Sequence, residues 1–201
     1  MFYACDKRDR TLLPHDPFKA IVAPRPIGWI SSISAKGEVN LAPYSFVNGV
    51  NSRPPLVMFA SEGRKDSVRN IEETGEFVCN LVTWDLRDAM NETAAPMPHG
   101  QNEMERARLA SAPSVLVKPP RVAATPCALE CKLVRIIQME THRHEPLDTH
   151  MVLGEVVGVH IEDRFIVGGL LDTAALKPVA RCGYDQYAVV ESLFSMARPE
   201  T

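Results

Sequence analysis

The sequence predicts a mainly β fold, a barrel or sandwich with helices inserted between its strands. Three observations carry that expectation. Residues 128–139 and 149–161 are long alternating runs joined by a short polar turn, the mark of an antiparallel pair. The sixteen prolines include the pairs Pro24 with Pro26, Pro54 with Pro55, Pro96 with Pro98 and Pro119 with Pro120, each at a strand edge or turn. Helical spacing occurs only in short pieces that do not alternate regularly with strands, which argues against a doubly wound sheet.

In chain order, residues 21–34 read as an extended segment with Pro26 at its edge, and residues 34–39 as a hairpin turn using Gly37. The segment NLAPYSFVN at 40–48 reads as the loop after that strand. Residues 56–60 form a short buried strand. Residues 66–74 form a helix with Asp66 or Ser67 near its N-cap and Gly75 as its stop. Residues 76–82 return as a strand. Trp84, Leu86, Ala89 and Met90 fall at helical spacing across 84–94, and a second short helix covers 102–110. In the strand at 128–139, Leu129, Cys131 and Leu133 share one face while Glu130 and Lys132 lie outside it. Residues 141–148 are the turn before the last long strand.

A chain of 201 residues and 22.3 kDa is long enough for one substantial core, so one domain is expected, with no repeat or linker dividing it. A formal net charge of -3 argues against a nucleic-acid binder that relies on phosphate contacts. The first sixteen residues lack the pattern of a secretory signal. No run approaches the roughly 18 apolar residues of a membrane helix, so the expected location is cytoplasmic. The five cysteines, Cys5, Cys79, Cys127, Cys131 and Cys182, are odd in number and lack C-x-x-C spacing, which fits reduced, mostly buried thiols.

Neither of the usual Gly-rich phosphate loops is present. The segment SEGRKDS at 61–67 offers two readings. Arg64, Lys65 and Ser67 at a helix start, where N–H groups are unpaired, suit a phosphate; an ordinary solvated turn before a helix is the other. The stretch RPIGWISSIS at 25–34 sharpens the question. Trp29, Ser31 and Ile33 face one way and Ile30, Ser32 and Ser34 the other, so both faces carry hydroxyls. An unpaired buried hydroxyl costs roughly 1–3 kcal/mol, so they pair within the sheet or meet a polar ligand. A flat heteroaromatic ligand with a polar edge and an anionic tail would use the hydroxyls, amides and aromatics of 25–48.

Together RPIGWISSIS, NLAPYSF (40–46), KDSVRNI (65–71), and PPRV (119–122) with ALEC (128–131) resemble the flavin-reductase-like, FMN-binding split-barrel family, in that family's order and over residues 17–187. The resemblance implies a six-stranded Greek-key barrel that forms a homodimer and holds FMN, ahead of FAD, near the dimer interface. Residues 1–16 would be an N-terminal extension and 188–201 a C-terminal tail. Trp29, Ile30, Ser31 and Ser32 would approach the cofactor, the two serines at its ribityl-phosphate region. Arg64, Lys65, Asp66 and Ser67 would take the phosphate, and Tyr44, Ser45, Phe46 and Asn48 would border the isoalloxazine. The implied activity is hydride transfer from NAD(P)H to flavin, as a flavin reductase or the reductase partner of a monooxygenase, with no catalytic side chain and no metal. The alternative is a flavoredoxin-like carrier fed by a protein partner.

The resemblance also points to His150 at the nicotinamide, although Leu147 stands where the family has glycine. In KPVARCGY at 177–184, Cys182-Gly183-Tyr184 replaces the family's Leu-Gly-Gly. Arg181 and Tyr184 would border the donor, or Arg181 makes a surface ion pair. His142, His144 and Glu145 read first as a polar turn and second as metal ligands. Trp84, Leu86 and Met90 read as core or dimer contact.

Overall fold

Alternation of side chains builds most of the predicted strands in the computed structural model, which describes residues 1–199. Helix α1 (Phe18–Ile21) precedes β1 (Arg25–Pro26), β2 (Gly28–Ile33), β3 (Val39–Tyr44), β4 (Val47–Ser52) and β5 (Pro55–Glu62). Helix α2 (Asp66–Thr74) leads into β6 (Glu76–Leu81), followed by α3 (Arg87–Glu92) and α4 (Glu103–Arg106). After β7 (Ser111–Ala112) and β8 (Arg121–Val122) come the long pair β9 (Cys127–Glu140) and β10 (Pro146–Ile161). The hairpin β11 (Ile166–Val167) and β12 (Leu170–Leu171), helix α5 (Thr173–Leu176), β13 (Val179–Arg181) and β14 (Tyr187–Val189) complete the chain.

The main sheet has seven strands in the order β3-β2-β6-β9-β10-β5-β4, not the six expected. The segment 40–48, expected as a loop, instead forms most of β3 and the start of β4. Val47 pairs with Phe59 and Asn48 with Met58, and the Ala60 N–H extends that ladder to the Phe46 carbonyl at 2.9 Å. Strands β3 and β4 are the two edges, joined through Ser45 and Phe46 without pairing with each other, so the barrel stays split.

Two apolar layers flank the sheet. Inside lie Ile30, Tyr44, Phe59, Val68, Ile71, Phe77 and Val152, with Tyr44 4.7 Å and Phe77 5.8 Å from the Phe59 ring centroid. Each such aromatic or branched side chain contributes about 1.5–3 kcal/mol on burial. The inner wall is tight: a Cβ on Gly154 would lie 2.4 Å from Phe77 Cζ, so only glycine lets β10 approach that ring. Outside, Trp29, Leu41, Leu86, Met90, Met104 and Val122 form the second layer.

Helix α2 closes one end of the barrel through Val68 and Ile71, both fully buried. It stops at Gly75, whose φ of 74° lets its N–H reach the Ile71 carbonyl. Its N-cap is Lys65, with no side-chain cap, rather than Asp66 or Ser67. Other boundaries shift too. Ile21 ends a helix instead of starting a strand, 84–94 divides into a 3-10 turn at Trp84–Leu86 and then α3, and the second helix shortens to Glu103–Arg106. Strand β10 begins at Pro146, inside the predicted turn. Strand β14 crosses the expected boundary between residues 187 and 188.

Glu130, expected outside the Leu129 face, is on the opposite side of β9 and completely buried. Its carboxylate accepts from the Val115, Leu116 and Val117 amides at 2.7, 2.6 and 3.2 Å and meets His160 Nε2. Burial pushes this carboxyl up, but the hydrogen bonds from His160 and the two nearer amides outweigh it and hold it below the ordinary carboxylate value.

Candidate functional site

Where α2 begins, the barrel end carries polar groups instead of apolar ones. Ser32, Asn40, Ser61, Ser67, Asn70 and His150 are all buried there. Asn40 Nδ2 donates to Ser67 Oγ at 2.8 Å and to Ser32 Oγ at 3.4 Å, and Asn70 Nδ2 donates to Ser32 Oγ at 3.2 Å. Ser61 donates to the Gly63 carbonyl at 2.9 Å. These bonds fix the hydroxyls around the helix start.

Two atoms in this cluster are left over. The Tyr44 hydroxyl and His150 Nδ1 are buried with no hydrogen-bond partner, on residues 8% and 7% exposed. Tyr44 Oη lies near the Ser67 and Ser61 hydroxyls but outside good hydrogen-bond geometry with either; burial raises its phenol above the ordinary value, and the weak hydrogen-bonding pull of those two hydroxyls acts the other way. His150 pairs across the ladder with Ser61, so both side chains leave the sheet on the same face. The backbone N–H groups of residues 64–68 also find no acceptor among the described residues. Every helix start leaves such amides unpaired, but this one also has two buried side-chain atoms without partners beside it, and buried polar atoms are nearly always paired, so the place suits an added polar group.

The charges around it are mixed. Arg64 is exposed and bound to Glu72, which raises its guanidinium further through that hydrogen bond and charge. Lys65 at the N-cap has no ion-pair partner among the described residues. Asp66 turns aside: its carboxylate meets His99 Nδ1 at 2.7 Å and accepts from the Gly100 amide at 3.3 Å.

Apart from Ser45, which lies in the turn between β3 and β4, the expected cofactor residues divide into three groups. Ser32, Tyr44, Lys65 and Ser67 come together at the start of α2, where Arg64 and Asp66 also stand but turn their side chains to Glu72 and to His99. Trp29, Ile30 and Ser31 do not reach a surface: Trp29 and Ser31 are 0% and Ile30 1% exposed. Trp29 Nε1 donates to Thr93 Oγ1 at 2.9 Å, while Ser31 Oγ donates to the Pro120 carbonyl and accepts from Asn80 Nδ2. Strand β2 is laddered on both sides through 28–31, so its backbone is committed as well. The pleat separates the two serines, because neighbours on a strand point to opposite faces. Asn80 also accepts from the Val122 amide at 2.9 Å, which makes the Pro119–Val122 motif a cover pinned over the sheet.

The third group lies along β4. Phe46 is half-buried with Arg25 and Lys19 over its ring at 5.5 and 5.8 Å. Asn48 stands at the rim of an apolar cleft of about 320 Å³ lined by Ile27, Val57, Cys79, Leu129 and Leu176. Burial pushes the Cys79 thiol up to about 12, so this thiol stays protonated and apolar in character.

The expected donor residues belong to different parts of the fold, His150 on β10 of the main sheet and Arg181, with Tyr184 beside it, on β13 of a separate three-stranded sheet. His150 is at the α2 end, whereas Arg181 stacks over Tyr187 at 4.4 Å and donates to the Tyr184 carbonyl. Tyr184 sits at φ 58° with its ring edge-on to His15. Gly183 is forced by packing, since its Cβ would lie 2.4 Å from Ala20 Cβ. Arg181 lines a cleft of about 610 Å³ with Trp84, Arg87, Met90 and Tyr187. Leu86 and Met90 are core as expected, but Trp84 is 45% exposed beneath the Arg87 guanidinium. His142 and His144 are exposed on their turn, with His144 3.3 Å from Glu140.

Sequence reasoning named Asn40 and Asn70 only within motifs and gave Ser61 no role of its own. It also missed Glu103, which accepts from the Leu41 amide at 2.8 Å and whose carboxyl burial pushes up. Only the fold brings these polar residues together.

The family model for the flavin reductase like domain matches residues 22–172. An uncharacterized protein of Aquifex aeolicus is 35% identical over 83% of this chain and 85% of its own. Among solved structures, nitrilotriacetate monooxygenase component B from Bacillus cereus superposes with a TM-score of 0.89 at 28% identity, over 98% of both chains. Pseudomonas fluorescens 2-nitrobenzoate 2-nitroreductase NbaA gives 0.85 at 26% identity, over 99% of this chain and 96% of that one.

Proposed function

The chain belongs to the flavin-reductase-like family, and from that premise we propose that it is an FMN-dependent oxidoreductase taking hydride from NAD(P)H. The observation that carries this reading is the α2 start, where acceptor-free amides at 64–68 converge with the orphaned Tyr44 hydroxyl. Those donors fit a phosphate ester, with Lys65 and Arg64 supplying charge and Ser67 a further hydroxyl. Asn48 pairs with Met58, three residues before Ser61 on the same strand, so on the edge strand β4 it stands about 10 Å from the phosphate-binding end, with its side chain on the face opposite Ser61. A ribityl chain bridges such a span, which supports the ring system lying toward Phe46, Asn48 and the apolar cleft.

When bound, FMN supplies the redox chemistry, its ring accepting hydride from a nicotinamide. The protein's part is to bind and orient. Lys65, Ser67 and Tyr44 anchor the tail, Phe46 and Asn48 border the ring, and the apolar wall excludes water from it. No side chain is assigned a covalent or acid-base step.

The exposed apolar residues Val134, Val159, Ile161 and Leu170 support the expected homodimer. Similarity to a monooxygenase component supports a protein partner that consumes the reduced flavin. The carrier reading has its own support: Arg181, expected at the donor, is engaged by Tyr184 and Tyr187 instead. Anaerobic mixing of FMN-loaded protein with NADH, and separately NADPH, tests the two readings. Rapid bleaching of the flavin band supports the reductase and identifies its donor. Bleaching by dithionite alone refutes the reductase in favour of the carrier, and failure to bind FMN refutes both.

A further inference from the structure

We infer that His150 is a ligand for the phosphate end of the bound flavin and makes flavin retention pH-dependent. This rests on the FMN reading above and assigns His150 to a different place from the nicotinamide. His150 is 7% exposed, its Nδ1 has no partner, and it shares a sheet face with Ser61, whose hydroxyl neighbours Tyr44 Oη. The turn at 61–65 crosses directly over the start of β10, since the Gly63 amide donates to the Asp148 carbonyl at 2.7 Å. The imidazole therefore opens on the same barrel end as the acceptor-free amides of α2.

A buried imidazole with a free ring nitrogen binds a dianion best as imidazolium, which donates from both nitrogens. The other charged and titratable groups at this end are Glu62 on β5, Arg64, Lys65 and Asp66 at the α2 start, Tyr44 on β3, Asp148 before His150, and Glu103 on α4, whose charge acts on both Tyr44 and Asp66. Burial pushes the Glu103 carboxyl up, so its titration has to be separated from the imidazole's, which the comparison with His150→Gln does. His99, bound to Asp66 from the neighbouring loop, is the second imidazole and requires a control.

The experiment is equilibrium titration of the full chain, freed of flavin, with FMN and with riboflavin, followed by flavin fluorescence. Riboflavin lacks the phosphate but keeps the ring and ribityl chain. The range runs from about pH 6.5, where the phosphate, with its second pKa of about 6, is mostly dianionic, up to about 8.5. The wild-type preference for FMN over riboflavin is expected to fall about tenfold across the range, the size of one charge-assisted contact. His150→Gln is expected to show a flat, weakened preference, and His99→Gln the wild-type slope.

A wild-type preference that does not change with pH overturns the inference even if no variant folds, and FMN binding itself would then leave the parent reading intact. Loss of the slope in His99→Gln with its retention in His150→Gln also overturns it, by assigning the titration to the wrong imidazole. Failure of wild-type protein to bind either flavin removes the FMN reading and this inference together.

Discussion

Replacing Tyr44 by phenylalanine removes a single oxygen and leaves the ring against Phe59, 4.7 Å away. That oxygen is buried without a partner, and a buried unsatisfied hydroxyl costs roughly 1–3 kcal/mol. Tyr44→Phe should therefore stabilise the flavin-free protein by about 1 kcal/mol, raising its midpoint by about 2–4 °C for a chain of this size. The same change should weaken FMN. A hydrogen bond to a charged group contributes about 1.5–3 kcal/mol, so affinity should fall roughly ten- to hundredfold. Riboflavin, without the phosphate, should lose far less. Thermal unfolding of the flavin-free protein and fluorescence titration measure the two effects separately. Opposite signs are the signature of a group kept for a ligand at the expense of stability. A destabilised flavin-free variant would mean that the hydroxyl has a partner within the fold. A stabilised variant with unchanged FMN affinity would mean that it has no role in binding.

The remaining expectations concern the anion site and two structural points. Lys65→Met should weaken FMN several-fold while leaving riboflavin nearly unchanged, and should flatten the salt dependence of FMN binding; equal losses for both flavins would remove Lys65 from the phosphate. Glu130→Gln should cost about 3–5 kcal/mol at neutral pH, measured by urea unfolding, because an amide cannot accept all the bonds of a buried carboxylate. Since the folded state holds this carboxyl below its ordinary value, its stabilisation is fully present above the unfolded value of about 4.3 and is lost as pH falls through the lower folded value. The gap between wild type and variant should therefore narrow below that pH, and a gap that widens there would refute the assignment. Gly154→Ala, whose Cβ would crowd Phe77, should cost about 1–3 kcal/mol. Phe77→Leu in the same chain should recover part of that loss, and strictly additive effects would show that the two positions do not clash.

The sequence by itself determined the mainly β class, the long strands β9 and β10, the α2 helix with its Gly75 stop and the family, and it raised the start of α2 as a candidate anion site. All of these rest on short-range signals. Alternation defines β9 and β10, a glycine with positive φ ends a helix, and basic residues before a helix start read as an anion site wherever the helix is placed. The local pattern could not tell that residues 47–52 pair with β5, because nothing in VNGVNS alternates strongly and the pairing is set by the partner strand. Ser31 and Ser32 look equivalent in the sequence. The sheet gives one to the Pro120 cover and the other to the α2 cluster, because its two faces are closed by different segments. Glu130 shows the same limit, since a carboxylate at an outward position reads as exposed until a loop distant in sequence folds over it. His150 and Tyr44 belong to one site only because β3, β5, β10 and α2 meet at one end of the barrel. Which hydroxyls and rings are buried, which are paired and which two are left without a partner is decided by packing among segments far apart in the chain, and no local pattern carries that information.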